Sequence, residues 1–430
     1  MTWTRRRVIG AALTLGAGAI GVDRYRGRLA GVRSRRHIEG SVVGTSCEPG
    51  HRLMTRLPLP DTTVDVKVLI VGGGASGLSA AWKLSRSGFS EFLLVDVEPR
   101  LGGTAACGRS EVIGFPWGAH YVPLPSRESG FVRELLNELG LIEGHRPDGE
   151  PIYSERHLCH SPQERIYHHG QWHEGLFPFV GATADDLTQY RAYQALMDRY
   201  RLRRDARGRP AFALPLERSG QEPEVLALDR ISMREFMTRQ GFTSRRLLWY
   251  VEYGCRDDYG GNLANVSAWA AIHYSAARPL GEDHQVLTWP EGIGWIVGGL
   301  ERRLAKHLKT GTLAFSVTPA RPGVTVDCLD VATGRVTRYR AGQAILAVPK
   351  FIVARIAHGF DALPASAAGF TYAPWIVANL HVDQVPEGRG APPCWDNVIY
   401  DSPGLGYVVA THQQLASRPV GADVLQAVSR

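Results

Sequence analysis

Lysine is nearly missing from this chain of 430 residues: five occur, at 67, 83, 306, 309 and 350, against 44 arginines. Chemistry that needs an amine to change its protonation state therefore has few candidates. Cysteine is sparse as well, with residues 47, 107, 159, 255, 328 and 394 and no Cys-x-x-Cys pair. That spacing excludes zinc-ribbon and thioredoxin-type sites. Long apolar runs are lacking too. The weakly apolar stretch Val8–Ile20 has thirteen residues, short of the roughly twenty that span a bilayer. Basic charge is lacking outside the leader. Residues 1–36 hold nine arginines and one aspartate, so the rest of the chain carries about −1 of the net +7. The body of the protein has no electrostatic footprint for nucleic acid. No internal repeat or low-complexity tract is present. An apolar content of 44% and a charged content of 21% are those of an ordinary globular protein, long enough for two cores.

What is present is concentrated near residue 70. The apolar run Val68–Val71 reads as a buried strand and breaks into Gly72-Gly73-Gly74-Ala75-Ser76-Gly77. A helix follows with Leu78, Ala81 and Leu84 on one face, then a second strand, Leu93-Leu-Val-Asp96, whose acid lies nineteen residues after Gly77. Each part has a physical role. Gly72 permits the tight turn, Gly74 lets backbone approach a pyrophosphate, and Gly77 allows close helix–strand packing. Ser76 opens the helix whose N-terminus faces phosphate, and Asp96 can accept from a ribose hydroxyl. The order strand, glycines, helix, strand and acid predicts a dinucleotide site.

The next residues choose the dinucleotide. Arg100-Leu-Gly102-Gly103 follows Asp96, and Trp117-Gly118-Ala119-His120-Tyr121 follows that. This pattern resembles the flavin-containing amine oxidase superfamily. The resemblance implies FAD as cofactor, with Asp96 on the adenosine ribose and Arg100, Gly102 and Gly103 against the diphosphate and flavin. Gly118 and Ala119 would then be the small residues that pass the flavin ring. The loop Thr288–Trp295 and the helix Ile296–Leu308 resemble the segment that returns the chain to the nucleotide domain, and Val317 matches the position whose backbone meets the adenine. The expected fold is α/β, with a discontinuous Rossmann-like FAD-binding domain (62–150 and 285–350) and a second, α+β substrate domain (151–284 and 351–430). Residues 1–40 read as a leader and 41–61 as a linker.

Within the second domain, helices are expected at about 184–203, 232–253 and 266–277, and a hairpin over 165–173 with its turn at His169-Gly170. The histidines 157, 160, 168, 169 and 173 crowd there beside Cys159. Strand alternation would split them between faces, and no ligand spacing of a recognised metal site is present. No metal is therefore expected. Tyr253, Tyr259, Trp269, Tyr274, Trp375, Trp395 and Tyr407 are the aromatic candidates for a substrate channel, with core packing as the competing reading.

The resemblance implies an oxidoreductase that moves hydride from a C–N or C–C bond of a small molecule to FAD. Its alternatives are a desaturase or isomerase of an apolar polyene or porphyrinogen, and a non-catalytic or partner-dependent relative. In that superfamily a lysine near the flavin commonly works through a water; Arg355 falls near its position and Lys350 is the lysine nearby. Arginine keeps its charge, and a solvated strand end is the competing reading of Lys350. The superfamily also continues into a glycine-rich segment that closes over the flavin. No second glycine cluster follows residue 404, so truncation relative to that pattern is expected. Thr4-Arg5-Arg6-Arg7 before Val8–Ile20 resembles a twin-arginine signal. It implies recognition by export machinery, a periplasmic or exported location, and membrane anchoring where the leader is retained.

Overall fold

A computed structural model describes residues 39–44, 47–111, 113–160, 163–278, 285–360, 370–382, 385, 388–410 and 423–429. The leader and its twin-arginine motif lie outside the described residues. The chain divides after Gly44 into two compact units. Of the first, residues 39–44 are described and hold no regular element. The second unit contains everything that follows. Among the described residues, no helix is long and apolar enough to cross a membrane.

The strand read at 68–71 extends back to Thr62, giving β1 (Thr62–Val71). Its last four residues are buried and its first five exposed or nearly so, which is why only the end is legible as an apolar run. After the glycine turn come α1 (Ala75–Arg86) and β2 (Phe92–Val95). Much later in the chain, α2 (Gly294–Leu304) leads to β3 (Leu308–Lys309), β4 (Thr312–Pro319), β5 (Val324–Asp330) and β6 (Val336–Leu346). These strands form one six-stranded sheet in the order β3-β2-β1-β6-β5-β4. β3, β2, β1 and β6 run parallel, and β6, β5 and β4 form an antiparallel meander. Two segments far apart in the chain thus build one sheet, with β1 next to β6 over nine paired positions from Thr62↔Thr337 to Val71↔Leu346. Leu78, Ala81 and Trp82 of α1 pack with Ile296, Val297 and Leu300 of α2 on one face, and Leu69, Val95, Val317 and Val326 pack on the other. Apolar residues on both faces of a parallel sheet are what crossover helices require.

A second six-stranded sheet runs Gln171–Glu174, Glu164–His168, Asp396–Ile399, Gly406–Val409, Asp423–Ser429, Ile376–Val382. The hairpin turns at His169-Gly170 as the sequence suggests. The strand Asp423–Ser429, for which the sequence carries no clear signal, pairs on both sides. Against this sheet belongs a helical core of Ala184–Leu202, Met233–Arg239, Arg245–Tyr259 and Ala268–Ala276, packed through Phe177, Met197, Met233, Phe236, Leu247 and Ile272. The single helix expected at 232–253 is two. Gly241 takes φ +75°, and the Phe242 N–H returns to the Met237 carbonyl at 3.0 Å, the closure that ends a helix. Ser244 then caps the next helix by accepting from the Leu247 N–H at 3.2 Å. The expected helix to Leu308 likewise ends at Leu304.

Candidate nucleotide turn and acidic cavity

The glycine turn is gripped on three sides. Gly72 sits at φ +106°, and its N–H donates to the Val95 carbonyl at 2.9 Å. A Cβ there would stand 2.4 Å from the Ala347 carbonyl oxygen; one on Gly77 would stand 1.8 Å from the Gly72 carbonyl oxygen. Only glycine fits either place. Gly74 is different. It caps α1 in an extended conformation, and a Cβ there would meet nothing within 4 Å. The first intrahelical bond of this end runs from the Leu78 N–H to the Gly74 carbonyl at 3.0 Å. The N–H groups of Ala75, Ser76 and Gly77 therefore have no carbonyl one turn back, and Ala75 and Ser76 are exposed. An open space faced by free N–H groups and the positive end of a twelve-residue helix suits a phosphate.

Asp96 ends β2 beside this turn. One carboxylate oxygen accepts from the Gly73 N–H and the other from the Glu98 N–H at 2.7 Å. Burial pushes its carboxyl above the usual range, against the pull of those N–H bonds. Asp96 therefore ties the turn to the second strand, a role not legible in the fingerprint, and retains lone pairs for a ribose hydroxyl. Gly102 donates to the Gly73 carbonyl at 2.8 Å, and Gly103 lies 3.4 Å (as an ideal Cβ) from the Gly74 Cα. The two glycine clusters of the sequence are neighbours. Arg100 is exposed and makes a long, 3.5 Å bond to the Cys107 carbonyl. Ala119 donates to the Thr104 carbonyl at 3.3 Å and accepts from Ile293 at 3.0 Å, so the Gly118-Ala119 segment is wedged between the second glycine cluster and the loop before α2. Val317 is buried in β4, its carbonyl accepting from His358 at 2.9 Å. Lys350 and Arg355 both lie exposed on the short helix Lys350–Ile356, where the Lys350 backbone N–H donates to the Tyr372 hydroxyl at 3.1 Å.

Beyond Ala119 the chain enters a different environment. The His120 ring stacks at 5.8 Å from Trp395, and burial lowers its pKa to about 4, so it is neutral at ordinary pH. Tyr121 meets Trp395 edge-on at 6.1 Å. Next to Trp395 is Asp396, and parallel strand register places Asp396 directly opposite Glu164. The neighbouring pair, Arg165 and Asn397, lies on the other face, hydrogen-bonded side chain to side chain. Arg165 also donates to the Ala391 carbonyl at 2.7 Å and the Tyr407 hydroxyl at 3.0 Å, with Trp172 beneath its guanidinium at 4.0 Å. Asp257 comes from the last turn of the helix Arg245–Tyr259, accepting from the Tyr274 hydroxyl at 3.2 Å. Glu164 is solvent-accessible and Asp257 and Asp396 partly so, yet desolvation dominates the shift of each. Three acids from separate segments thus lie within electrostatic reach of one another. Burial leads each shift: with repulsion from Asp257 it pushes Glu164 up to about 7, with repulsion from Asp258 it pushes Asp257 to about 6, and with repulsion from Glu164 and Asp257 it pushes Asp396 well above the carboxylate range.

The sequence does not announce these acids, because they come from three separated segments and share no motif. Of the aromatic candidates, Tyr274 donates to Asp257 and Trp395 packs on His120 and Tyr121, whereas the Tyr253 hydroxyl donates to the Leu405 carbonyl at 3.0 Å. Trp269 packs on the helical core, Trp375 is exposed, and Tyr407 serves Arg165. The histidines are spread: His157 against Trp289 and Trp295, His160 on Glu155, His173 on the His168 carbonyl.

The raised acids set a pH dependence. Their folded values exceed their unfolded ones, so their contribution to stability is fully present below about pH 4 and is lost as pH rises through about 7. Glu164→Gln removes one acid from a wall that also holds Asp257, Asp396 and Arg278. Its thermal midpoint is expected about 2 °C above the parent's near pH 8, discounted for the accessibility of Glu164, and equal to it near pH 4. Calorimetric scans at the two pH values check this; a variant less stable than the parent near pH 8 contradicts it.

Comparison with known proteins places this geometry. The NAD(P)-binding Rossmann-like domain family matches residues 70–139. An L-amino acid oxidase of Cerastes cerastes is 37% identical over 91 residues, which cover 21% of this chain and 17% of that protein. The match thus spans about a sixth of the relative's length. Among solved structures, putrescine oxidase bound to putrescine is similar with a TM-score of 0.59 and 17% identity, over 85% of this chain and 76% of the other. A fatty acid isomerase from P. acnes that produces CLA has the same TM-score and coverage at 15% identity. The chain thus shares its fold with these solved structures, and with a cyclohexylamine oxidase from Brevibacterium oxydans at a TM-score of 0.59 and 15% identity over 85% of this chain and 75% of the other.

Proposed function

We propose that the protein is an FAD-dependent oxidoreductase that takes hydride from a C–N or C–C bond of a small-molecule substrate. The observation that carries this reading is the open space at Gly74, bounded by the α1 N-terminus, Asp96 and the Gly102-Gly103 pair. The residues present fit the cofactor. The N–H groups of Ala75 and Ser76 would hold its phosphates and Asp96 a ribose hydroxyl. Bound FAD would supply the hydride-accepting ring, and the protein supplies orientation and exclusion of water. Gly118 and Ala119 would let the backbone run beside that ring. His120, kept neutral by burial, would add no charge beside that ring. Export through the leader is proposed on the Arg5-Arg6 pair alone.

The test is the full-length chain, purified by gel filtration, with its chromophore released and identified. About one FAD per chain is expected, and its absorbance should bleach on anaerobic mixing with an oxidisable substrate. A chain that neither retains FAD nor binds it on titration would sink the proposal. Retained FAD that catalyses double-bond migration without net electron transfer would instead support the isomerase reading.

A further inference from the structure

Two buried polar atoms without a partner meet around one short stretch of chain. Among the described residues, His120 Nε2 and Asn379 Oδ1 are each shut off from solvent with no hydrogen bond. His120 directly follows Gly118-Ala119. Asn379 comes from the distant strand Ile376–Val382 and reaches the same stretch, its Nδ2 donating to the Pro116 carbonyl at 3.1 Å. An ideal Cβ on Gly292 would stand 2.7 Å from the Pro116 Cβ and 2.8 Å from the His120 Cα, so Pro116 and His120 close round one point. The bonds already made fix what the free atoms are. A carbonyl only accepts, so the Asn379 amide turns its NH2 group to Pro116 and leaves Oδ1, an acceptor. The His120 ring bonds the Gly118 carbonyl through its other nitrogen. The neutral ring carries its proton there, and Nε2 is a bare acceptor. A buried acceptor left unmet costs more than an ordinary hydrogen bond returns. Two of them beside one backbone stretch mark the place of a donor-bearing group. Lys350 and Arg355 do not supply it, since both lie exposed on the helix Lys350–Ile356.

We propose that His120 Nε2 and Asn379 Oδ1 are the acceptors for the ring N–H groups of the flavin, with Asn379 also fixing the Pro116–Ala119 backbone beside that ring. The inference rests on the function proposed above and adds to it a reason for the direction of electron flow. The oxidised ring carries one N–H, at N3. Hydride leaving a substrate C–H bond with its electron pair oxidises the substrate and forms a second N–H at N5, while the negative charge gained spreads over N1 and the C2 carbonyl. Two acceptors therefore match the reduced ring better than the oxidised one. Both side chains are uncharged, so the preference comes from hydrogen bonding alone.

The test uses the full-length chain, its FAD content measured on the same sample, and the variants Asn379→Leu, His120→Asn and the two combined. Asn379→Leu keeps the volume and loses the polar atoms; His120→Asn keeps a donor for the Gly118 carbonyl while withdrawing Nε2. Thermal scans of the flavin-free proteins verify folding. The combined variant is expected to lose about threefold to tenfold of the parent's preference for reduced over oxidised flavin, the worth of one ordinary hydrogen bond. Anaerobic titration against a reference dye reads that loss as a midpoint potential lowered by about 15–30 mV. A displaced backbone alone would weaken both redox forms alike and leave the potential where it was. A folded combined variant whose flavin keeps the parent's potential, or shifts it upward, overturns the inference while the oxidoreductase reading stands. Should the combined variant not fold, the single variants are read in the same way, and two unchanged potentials overturn it. A parent chain that neither retains nor binds FAD removes the oxidoreductase reading and this inference with it.

Discussion

Gly77→Ala is expected to destabilise the fold, although alanine is the better helix former. The exchange gains about 1 kcal/mol of helix propensity. Against it stands a Cβ 1.8 Å from the Gly72 carbonyl oxygen and 3.4 Å from the Ala347 Cβ. Neither obstacle is the end of a flexible side chain. The Gly72 backbone is pinned by its bond to Val95, and Ala347 by its N–H bond to the Val71 carbonyl at 2.8 Å. Relief requires α1 to lift from β1, which opens the contacts of Leu78 and Ala81, both fully buried. Overpacking of this kind costs roughly 1–3 kcal/mol or more, and here the upper end applies. The net loss of about 2 kcal/mol or more should appear as a thermal midpoint lowered by about 2–3 °C or as insoluble protein. A soluble Gly77→Ala chain with the parent's midpoint would show that α1 does not dock as described.

Gly74→Val, three residues earlier, should do the reverse. Its φ of −73° and ψ of −174° suit any residue, and its Cβ would meet open space. The fold should survive, at a cost of about 1 kcal/mol for a poor helix cap. What the branched side chain fills is the space before the Ala75 and Ser76 N–H groups. Two charge-assisted hydrogen bonds lost at roughly 1.5–3 kcal/mol each amount to about a hundredfold or more in affinity. Bound FAD per chain after gel filtration should fall nearly to zero while the thermal midpoint of the flavin-free protein changes by only ~1 °C. Undiminished flavin content would mean that the cofactor is held elsewhere. Together the two glycines separate folding from binding within one turn.

The nucleotide module was legible because its logic is local. Strand, turn, helix and acid lie within 35 residues, from Thr62 through Asp96, and each depends on backbone sterics that a glycine or an apolar run announces directly. The same locality made the His169-Gly170 hairpin and the helix at 184–202 readable. Boundaries were less so: one helix over 232–253 overlooks that Gly241 in a left-handed conformation ends one helix before Ser244 begins the next. The pairing of β1 with β6 could be inferred only as a returning segment, since its register joins residues about 275 apart. The acidic cluster was not legible at all. Glu164, Asp257 and Asp396 carry no spacing that marks them, and an acid in a polar stretch looks solvated. Strand register alone sets Asp396 against Glu164 while turning Arg165 and Asn397 to the opposite face. A shift of one residue would exchange the two faces. The sequence by itself therefore determined the strand, glycine turn and helix proposed to hold a dinucleotide, because these depend on local backbone conformation. Only the tertiary structure decided which charges face the space beside it, because that depends on how distant strands pair and which groups they remove from water.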